Sequence, residues 1–95
     1  DGAVDAVMKT IDQITGLQGH LTEYQVRAVT EGKDAVGEVS LSVRFRAKSE
    51  AVAGRSAATD VIESSARAYL AAINRWLAES GRASVKKARR TLANP

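Results

Sequence analysis

The side chains that could carry out chemistry are few in this chain of 95 residues. It has no cysteine, which excludes a disulfide framework and a thiolate zinc site. Its single histidine, His20, lies in a Gln-Gly-His-Leu segment typical of an exposed turn. No pair of carboxylates accompanies it at metal-ligand spacing, so we expect a surface residue and not a metal ligand or a catalytic base.

Carboxylates and serines are the remaining candidates for catalysis. Most of the eleven carboxylates fall at expected helix starts, in turns or on the wet face of a strand, where charges are solvated or cap helices. Ser64 and Ser65 lie in an expected helix without a usefully placed histidine, and there is neither a Gly-x-Ser-x-Gly turn nor a P-loop. We therefore predict no catalytic residue and no metal site in this chain.

The start of the first predicted helix is better suited to holding a ligand. Free N–H groups at a helix start attract anions, and the small residues Gly2 and Ala3 allow close approach. Tyr24 would add a hydroxyl, while Ala28 and Ala35 leave room for an aliphatic group. Such a site would hold a carboxylate at one end and a branched apolar group at the other. The alternative is that Tyr24 is an ordinary core residue.

Hydrophobic periodicity predicts the elements that position these residues. In chain order they are a helix over 3–15, strands over 21–31, 36–47 and 50–55, and a helix over 60–78. In the second strand, apolar side chains from Val39 to Phe45 alternate with serines and arginines, as in an antiparallel sheet with one solvated face. We predict an α+β fold in which both helices cover one face of a three-stranded antiparallel meander.

The apolar stripe of the second helix is predicted from its spacing. Its members are Ile62, Ala66, Tyr69, Leu70, Ile73, Trp76 and Leu77. Gly81 is expected to end this helix, and Gly54 to mark either the end of the third strand or a close backbone approach. A domain of this size buries only roughly 60–65% of its unfolded surface, so an oligomeric partner would help its stability.

The chain ends in a basic segment. Its arginines and lysines are Arg82, Lys86, Lys87, Arg89 and Arg90. We predict a flexible tail over 79–95 that is either a frayed helix or disordered. The tail has no aromatic residue to stack on bases, so we expect a solvated extension and no nucleic-acid partner. No apolar run reaches the roughly 20 residues of a membrane span, and no signal peptide is evident, so we expect a cytoplasmic protein. The first residue is not Met, which indicates a piece of a longer protein.

Three segments, in this order and spacing, carry a family resemblance. The first is Asp1-Gly2-Ala3-Val4-Asp5-Ala6, and the second is Tyr24 followed by Ala28-Val29-Thr30-Glu31-Gly32 and Asp34-Ala35. The third is Gly54-Arg55 with Thr59-Asp60-Val61-Ile62-Glu63-Ser64-Ser65-Ala66. Over about residues 1–78 the chain resembles the C-terminal regulatory domain of 2-isopropylmalate synthase. It departs from the family pattern at Ala3, where proline is usual, and at Ser56, where Gly-Arg-Gly has its second glycine.

The resemblance implies one half of a pseudo-symmetric regulatory domain, preceded by the helix that closes the other half. It also implies a homodimer, with the sheet of the isolated piece completed by another copy, and leucine bound between the halves near the interface. The residues that would contact leucine are Gly2, Val4, Asp5, Leu21, Tyr24, Ala28 and Ala35.

The parent enzyme condenses acetyl-CoA with 2-oxoisovalerate, using a divalent metal in a separate (β/α)8 barrel. The resemblance thus implies that this chain needs no cofactor and supplies feedback inhibition by leucine. Three alternatives stay open: a citramalate synthase domain that responds to isoleucine, a dimerisation module without a ligand, and a nucleic-acid adaptor that uses the tail.

Overall fold

A computed structural model describes the backbone of residues 2–32 and 34–93 and the side chains of 2–30, 32 and 35–81. The elements are α1 (Gly2–Thr15), β1 (His20–Glu31), β2 (Asp34–Arg44), β3 (Val52–Ala58) and α2 (Val61–Ala93). The strands form one antiparallel sheet in the order β1-β2-β3. Helix α2 packs on β2 and β3, and α1 packs mainly on α2. The predicted α+β arrangement of helix, meander and helix is confirmed.

The central strand β2 supplies the core side of the sheet. Val39, Leu41, Val43 and the following Phe45 are buried, whereas Ser40 and Ser42 between them are only half-buried. The predicted alternation is therefore confirmed. The helices complete this core. They contribute Val4 and Met8 from α1 and Ala68, Tyr69, Ala72 and Ile73 from α2.

The link between β2 and β3 differs from the prediction. β2 ends at Arg44, not at 47, because the chain bends and Ser49 closes a tight turn on Arg46. In that turn the Ser49 amide and hydroxyl donate to the Arg46 carbonyl at 3.1 and 3.0 Å. β3 then begins at Val52 and continues to Ala58, past the predicted end at 55.

Gly54 marks a close backbone approach and not a strand end. It lies inside β3, paired with Leu41. An ideal Cβ built at Gly54 would lie 2.0 Å from the Ala68 carbonyl oxygen and 2.9 Å from the Ala72 nitrogen. The absent side chain thus lets α2 rest directly on the sheet.

This close approach changes which face of α2 is buried. Small residues face the sheet, and Ser64, Ser65, Ala68 and Ala72 are all fully buried. Of the predicted stripe, Tyr69 and Ile73 are buried, but Ile62, Leu70 and Leu77 are 39%, 42% and 50% exposed. The predicted stripe was wrong for these three residues, because periodicity weights large apolar side chains and this contact requires small ones.

The predicted end of α1 agrees with the structure, whereas the predicted end of α2 does not. Gly16, at φ 74°, ends α1 as expected, with its amide donating to the Asp12 carbonyl at 2.9 Å. Asp60 caps α2 through a 2.9 Å bond from the Ile62 amide. The predicted end at 78 was wrong, because α2 continues through Gly81 to Ala93. A glycine inside a helix costs only about 1 kcal/mol relative to alanine, and alanine, lysine and arginine around it favour helix.

Among the described residues, no helix is long and apolar enough to cross a membrane.

Gly81→Ala is expected to stabilise α2 by about 0.5–1 kcal/mol, because alanine loses less backbone entropy in a helix and nothing lies within 4 Å of the new methyl group. Thermal unfolding followed by circular dichroism measures the effect. Gly32→Ala is the matched control: at φ 61° the same methyl group should destabilise by roughly 1–2 kcal/mol. A lower melting temperature for Gly81→Ala would contradict a continuous helix through this position.

Candidate functional site

The helix-facing side of β1 is left largely uncovered. Cross-strand pairing places Tyr24 beside Leu41 and Val26 beside Val39, so these side chains point toward the same side of the sheet as the core. Yet Leu21, Tyr24 and Val26 are 39%, 36% and 44% exposed. Helix α2 covers β2 and β3, and the apolar face of β1 extends beyond it.

A β-bulge brings Leu21 onto this face. Strict alternation would put residues 21 and 24 on opposite sides of the strand. The register shifts between Leu21 and Glu23, so that Leu21 pairs with Val43 and Glu23 with Ser42. Thr22 is the extra residue, and its hydroxyl donates to the Ser42 carbonyl at 3.1 Å. Leu21 and Tyr24 therefore share one surface.

Tyr24 connects this surface to α2. Its hydroxyl lies 2.7 Å from the Ser65 hydroxyl, and either group can donate. Ser65 is fully buried, so the bond fixes the ring of Tyr24 against the start of α2 while part of the ring stays open to solvent. The sequence suggested Tyr24 but gave Ser65 no role; the signal for Ser65 was a pair of serines inside an otherwise apolar helix.

The far end of the β1–β2 hairpin carries Ala28 and Ala35. Ala28 pairs with Gly37, and Ala35 pairs with Thr30, which puts both methyl groups on the same face as Tyr24. Both residues are exposed. The structure thus brings four of the seven predicted contact residues to one face of the hairpin, Leu21, Tyr24, Ala28 and Ala35.

The other three predicted residues lie in the first turn of α1. Gly2 is exposed with nothing within 4 Å of an added Cβ, and exposed Asp5 forms an ion pair with Lys9 at 3.1 Å. Val4 is 7% exposed and belongs to the core, so its side chain anchors the helix. Because α1 packs mainly on α2, the site consists of two exposed groups, the hairpin face and the α1 start.

An apolar cleft between the two helices adjoins the α1 group. It has a volume of about 410 Å³. It is lined by Ala6, Val7, Thr10, Ile11, Ala66 and Leu70. Apolar periodicity pointed to several of these residues as core, but not to a cleft, because the separation of two helices is a tertiary property.

A half-buried polar cluster connects α1 to the rest of the fold. The Tyr69 hydroxyl donates to Asp12 Oδ1 at 2.5 Å, and the Gly19 amide donates to Asp12 Oδ2 at 3.2 Å. Burial raises the pKa of the Tyr69 hydroxyl above its ordinary range, and the neighbouring Asp12 carboxylate raises this pKa further. Sequence reasoning missed this cluster, since its two side chains are far apart in the chain.

Within the part of the chain that the structure describes, no group of three histidine or carboxylate side chains could hold a metal ion. The features that the structure does assemble are exposed apolar surfaces, the Tyr24 hydroxyl bonded to Ser65, and an exposed helix start. These are features for holding a small amphiphilic molecule or a second protein surface. Fold and site together define a small α+β domain that leaves apolar surface exposed on one face of its sheet.

The chain belongs to the family described as the LeuA allosteric (dimerisation) domain, whose sequence profile matches residues 1–77. The resemblance drawn from the sequence is thereby confirmed. One relative, named 2-isopropylmalate synthase, from Methylacidiphilum infernorum, is 58% identical over 77 residues, covering 81% of this chain and 15% of the relative.

Two further relatives carry the same name. The protein of Pelotomaculum thermopropionicum is 49% identical over 80 residues, which cover 84% of this chain and 16% of that protein. The protein of Aliarcobacter butzleri is 44% identical over 84 residues, which cover 88% of this chain and 16% of that protein. The chain thus spans only 15–16% of the length of these relatives. No solved structure matches the chain.

Proposed function

We propose that this chain is a leucine-sensing regulatory domain of a 2-isopropylmalate synthase. Leucine binding here would lower the rate at which a separate catalytic barrel condenses acetyl-CoA with 2-oxoisovalerate, and two copies of the domain would hold the enzyme as a homodimer. The family description and the names of the relatives support this proposal. The divalent metal of the reaction would belong to the barrel.

The observation that carries the proposal is the uncovered apolar face of β1 beside an anchored hydroxyl. Leucine has an isobutyl group, a carboxylate and an ammonium group, each of which needs a partner. Leu21, Val26 and Ala28 offer apolar contacts to the isobutyl group. The positive end of the α1 dipole would attract the carboxylate, and Asp5, which also pairs with Lys9, would attract the ammonium group.

Association would complete the site. The hairpin face and the α1 start are both exposed, so a second surface is needed to enclose a ligand between them. β1 is also an edge strand, and exposed Leu70 and Leu77 extend the apolar surface along α2. Burying these groups against another copy would couple ligand binding to the arrangement of the dimer. Coupling of this kind is typically worth 1–3 kcal/mol.

Calorimetry with leucine, isoleucine and valine, combined with light scattering, tests the proposal. We expect a dimer that binds leucine most tightly. Tyr24→Phe should weaken leucine binding by about fivefold, since a neutral hydrogen bond is worth about 1 kcal/mol. Glu23→Gln is the matched control, because it changes the opposite face of the same strand and should leave the affinity unchanged.

The alternatives give different outcomes in the same experiment. Tighter binding of isoleucine than of leucine would favour a citramalate synthase regulatory domain. A stable dimer that binds no branched-chain amino acid, alone or within the full-length enzyme, would favour a dimerisation module without a ligand. In the full-length enzyme, leucine should reduce turnover, and an unchanged rate at saturating leucine would contradict the proposal.

A further inference from the structure

A second cleft lies at the end of the sheet where β1 begins and β2 ends. It has a volume of about 450 Å³. It is lined by Gln18, Gly19, His20, Arg44, Phe45, Arg46 and Ala47. Two arginines and the histidine line this cleft together, and no carboxylate is among the described residues that line it. The two arginines give the lining positive charge, and the nearest described carboxylate contact to the lining is Asp12, which accepts a hydrogen bond from the Gly19 amide at 3.2 Å.

Strand pairing puts two of these groups side by side. His20 pairs directly with Arg44 across β1 and β2, so both side chains project from the same face of the sheet, opposite to buried Val43. Side chains at such positions lie about 5 Å apart, close enough for one ligand group to contact both.

Arg46 makes one contact with α2 and one within the turn that follows it. Its guanidinium carbon lies 5.7 Å from the centre of the Trp76 ring, a cation–π contact. Its backbone amide donates to the Ser49 hydroxyl at 3.2 Å, which fixes the turn. The cation–π contact thus places the Arg46 guanidinium beside the indole ring of Trp76.

Neither arginine of the cleft forms an ion pair with a described carboxylate, whereas Arg67 and Arg75 pair with Glu63 and Glu79 on α2. Guanidinium groups bind phosphate oxygens through paired N–H donors, and two of them with an imidazole suit a doubly charged anion. We propose that the cleft at Arg44, Arg46 and His20 binds the phosphate or diphosphate group of a small molecule.

The chain contains a built-in reporter for this binding. Trp76 is its only tryptophan and lies against Arg46, so an anion that draws on Arg46 should change the indole fluorescence. Sodium pyrophosphate is the probe, titrated into the 95-residue chain at constant ionic strength with sodium chloride as balance. We expect a saturable change with half-saturation near or below about 1 mM, and weaker binding of inorganic phosphate.

Arg44→Gln should weaken pyrophosphate binding by about tenfold or more, because it removes one charged donor without touching Trp76. Arg27→Gln is the matched control, since Arg27 projects from the same face of the sheet opposite Glu38, outside the cleft, and should change the affinity less than twofold.

Amide shifts give a second readout on the unmodified chain. Gly19 and Ala47 should shift on titration, whereas Gly32, at the opposite end of the hairpin, should not. Absence of saturable binding, equal weakening by Arg27→Gln and Arg44→Gln, or shifts spread evenly over the chain would each overturn the proposal.

Discussion

Gly54→Ala is expected to destabilise the fold strongly. The added Cβ would lie 2.0 Å from the Ala68 carbonyl oxygen and 2.9 Å from the Ala72 nitrogen, and neither backbone atom can turn aside as a side chain can. Helix α2 would have to lift away from β3. Overpacking of this kind costs about 3 kcal/mol or more. For a domain of this size that lowers the melting temperature by more than roughly 12 °C.

Thermal or urea unfolding of the purified variant measures the loss, and Gly2→Ala is its control. The methyl group added at Gly2 meets nothing within 4 Å, so the free energy of unfolding should change by less than about 0.5 kcal/mol. Similar stability of the two variants would mean that α2 does not rest on β3 as described.

Tyr69→Phe is expected to loosen the attachment of α1. The substitution keeps the buried ring beside Phe45 but removes the donor to Asp12 Oδ1. A hydrogen bond to a charged group is worth about 1.5–3 kcal/mol, and the carboxylate would retain only the Gly19 amide among its described hydrogen bonds. The free energy of unfolding, obtained from urea denaturation near neutral pH, should fall by that amount.

The same residue predicts a dependence on alkaline pH. The pKa of Tyr69 is raised in the folded state by burial and by Asp12, so folding favours the protonated hydroxyl. Its contribution to stability is complete below the ordinary tyrosine pKa of about 10 and is lost as pH rises above that value toward the folded-state pKa. Unfolding free energy of the wild type should therefore decline above about pH 10, and more steeply than that of Tyr69→Phe.

Tyr24→Phe serves as the control for the alkaline series. It removes the other tyrosine hydroxyl, which contacts Ser65 and leaves the Tyr69–Asp12 bond in place. It should retain the decline of the wild type. A parallel decline in wild type and Tyr69→Phe would show that the buried hydroxyl does not titrate against folding.

Local patterns in the sequence were sufficient for much of the fold. The alternation from Val39 to Phe45 predicted both the central strand and its buried side, and Gly16 predicted the end of α1. The boundaries of β3 and α2 were wrong because Gly54 and Gly81 were both taken as possible ends. In the structure one glycine makes room for a helix and the other is tolerated within one.

The candidate site was predictable only in part. Tyr24 and Ala28 share a face by simple alternation, but Leu21 joins them only through the bulge at Thr22. The partner of Tyr24, Ser65, lies 41 residues away in sequence, and that of Tyr69, Asp12, lies 57 away. Such pairings depend on how α1 and α2 lie over the sheet, which periodicity within either helix does not encode.

The bulge in β1 has a consequence for how this domain can vary in length. Thr22 is the residue without a pair in the strand register, so a chain lacking it would keep every later pair from Glu23–Ser42 to Glu31–Asp34 unchanged. A deletion inside the regular ladder would instead turn half of the strand over and send Tyr24 or Ala28 to the opposite face. Position 22 is therefore a place in β1 where a residue can be gained or lost while the later side chains on the helix-facing side of the strand keep their positions.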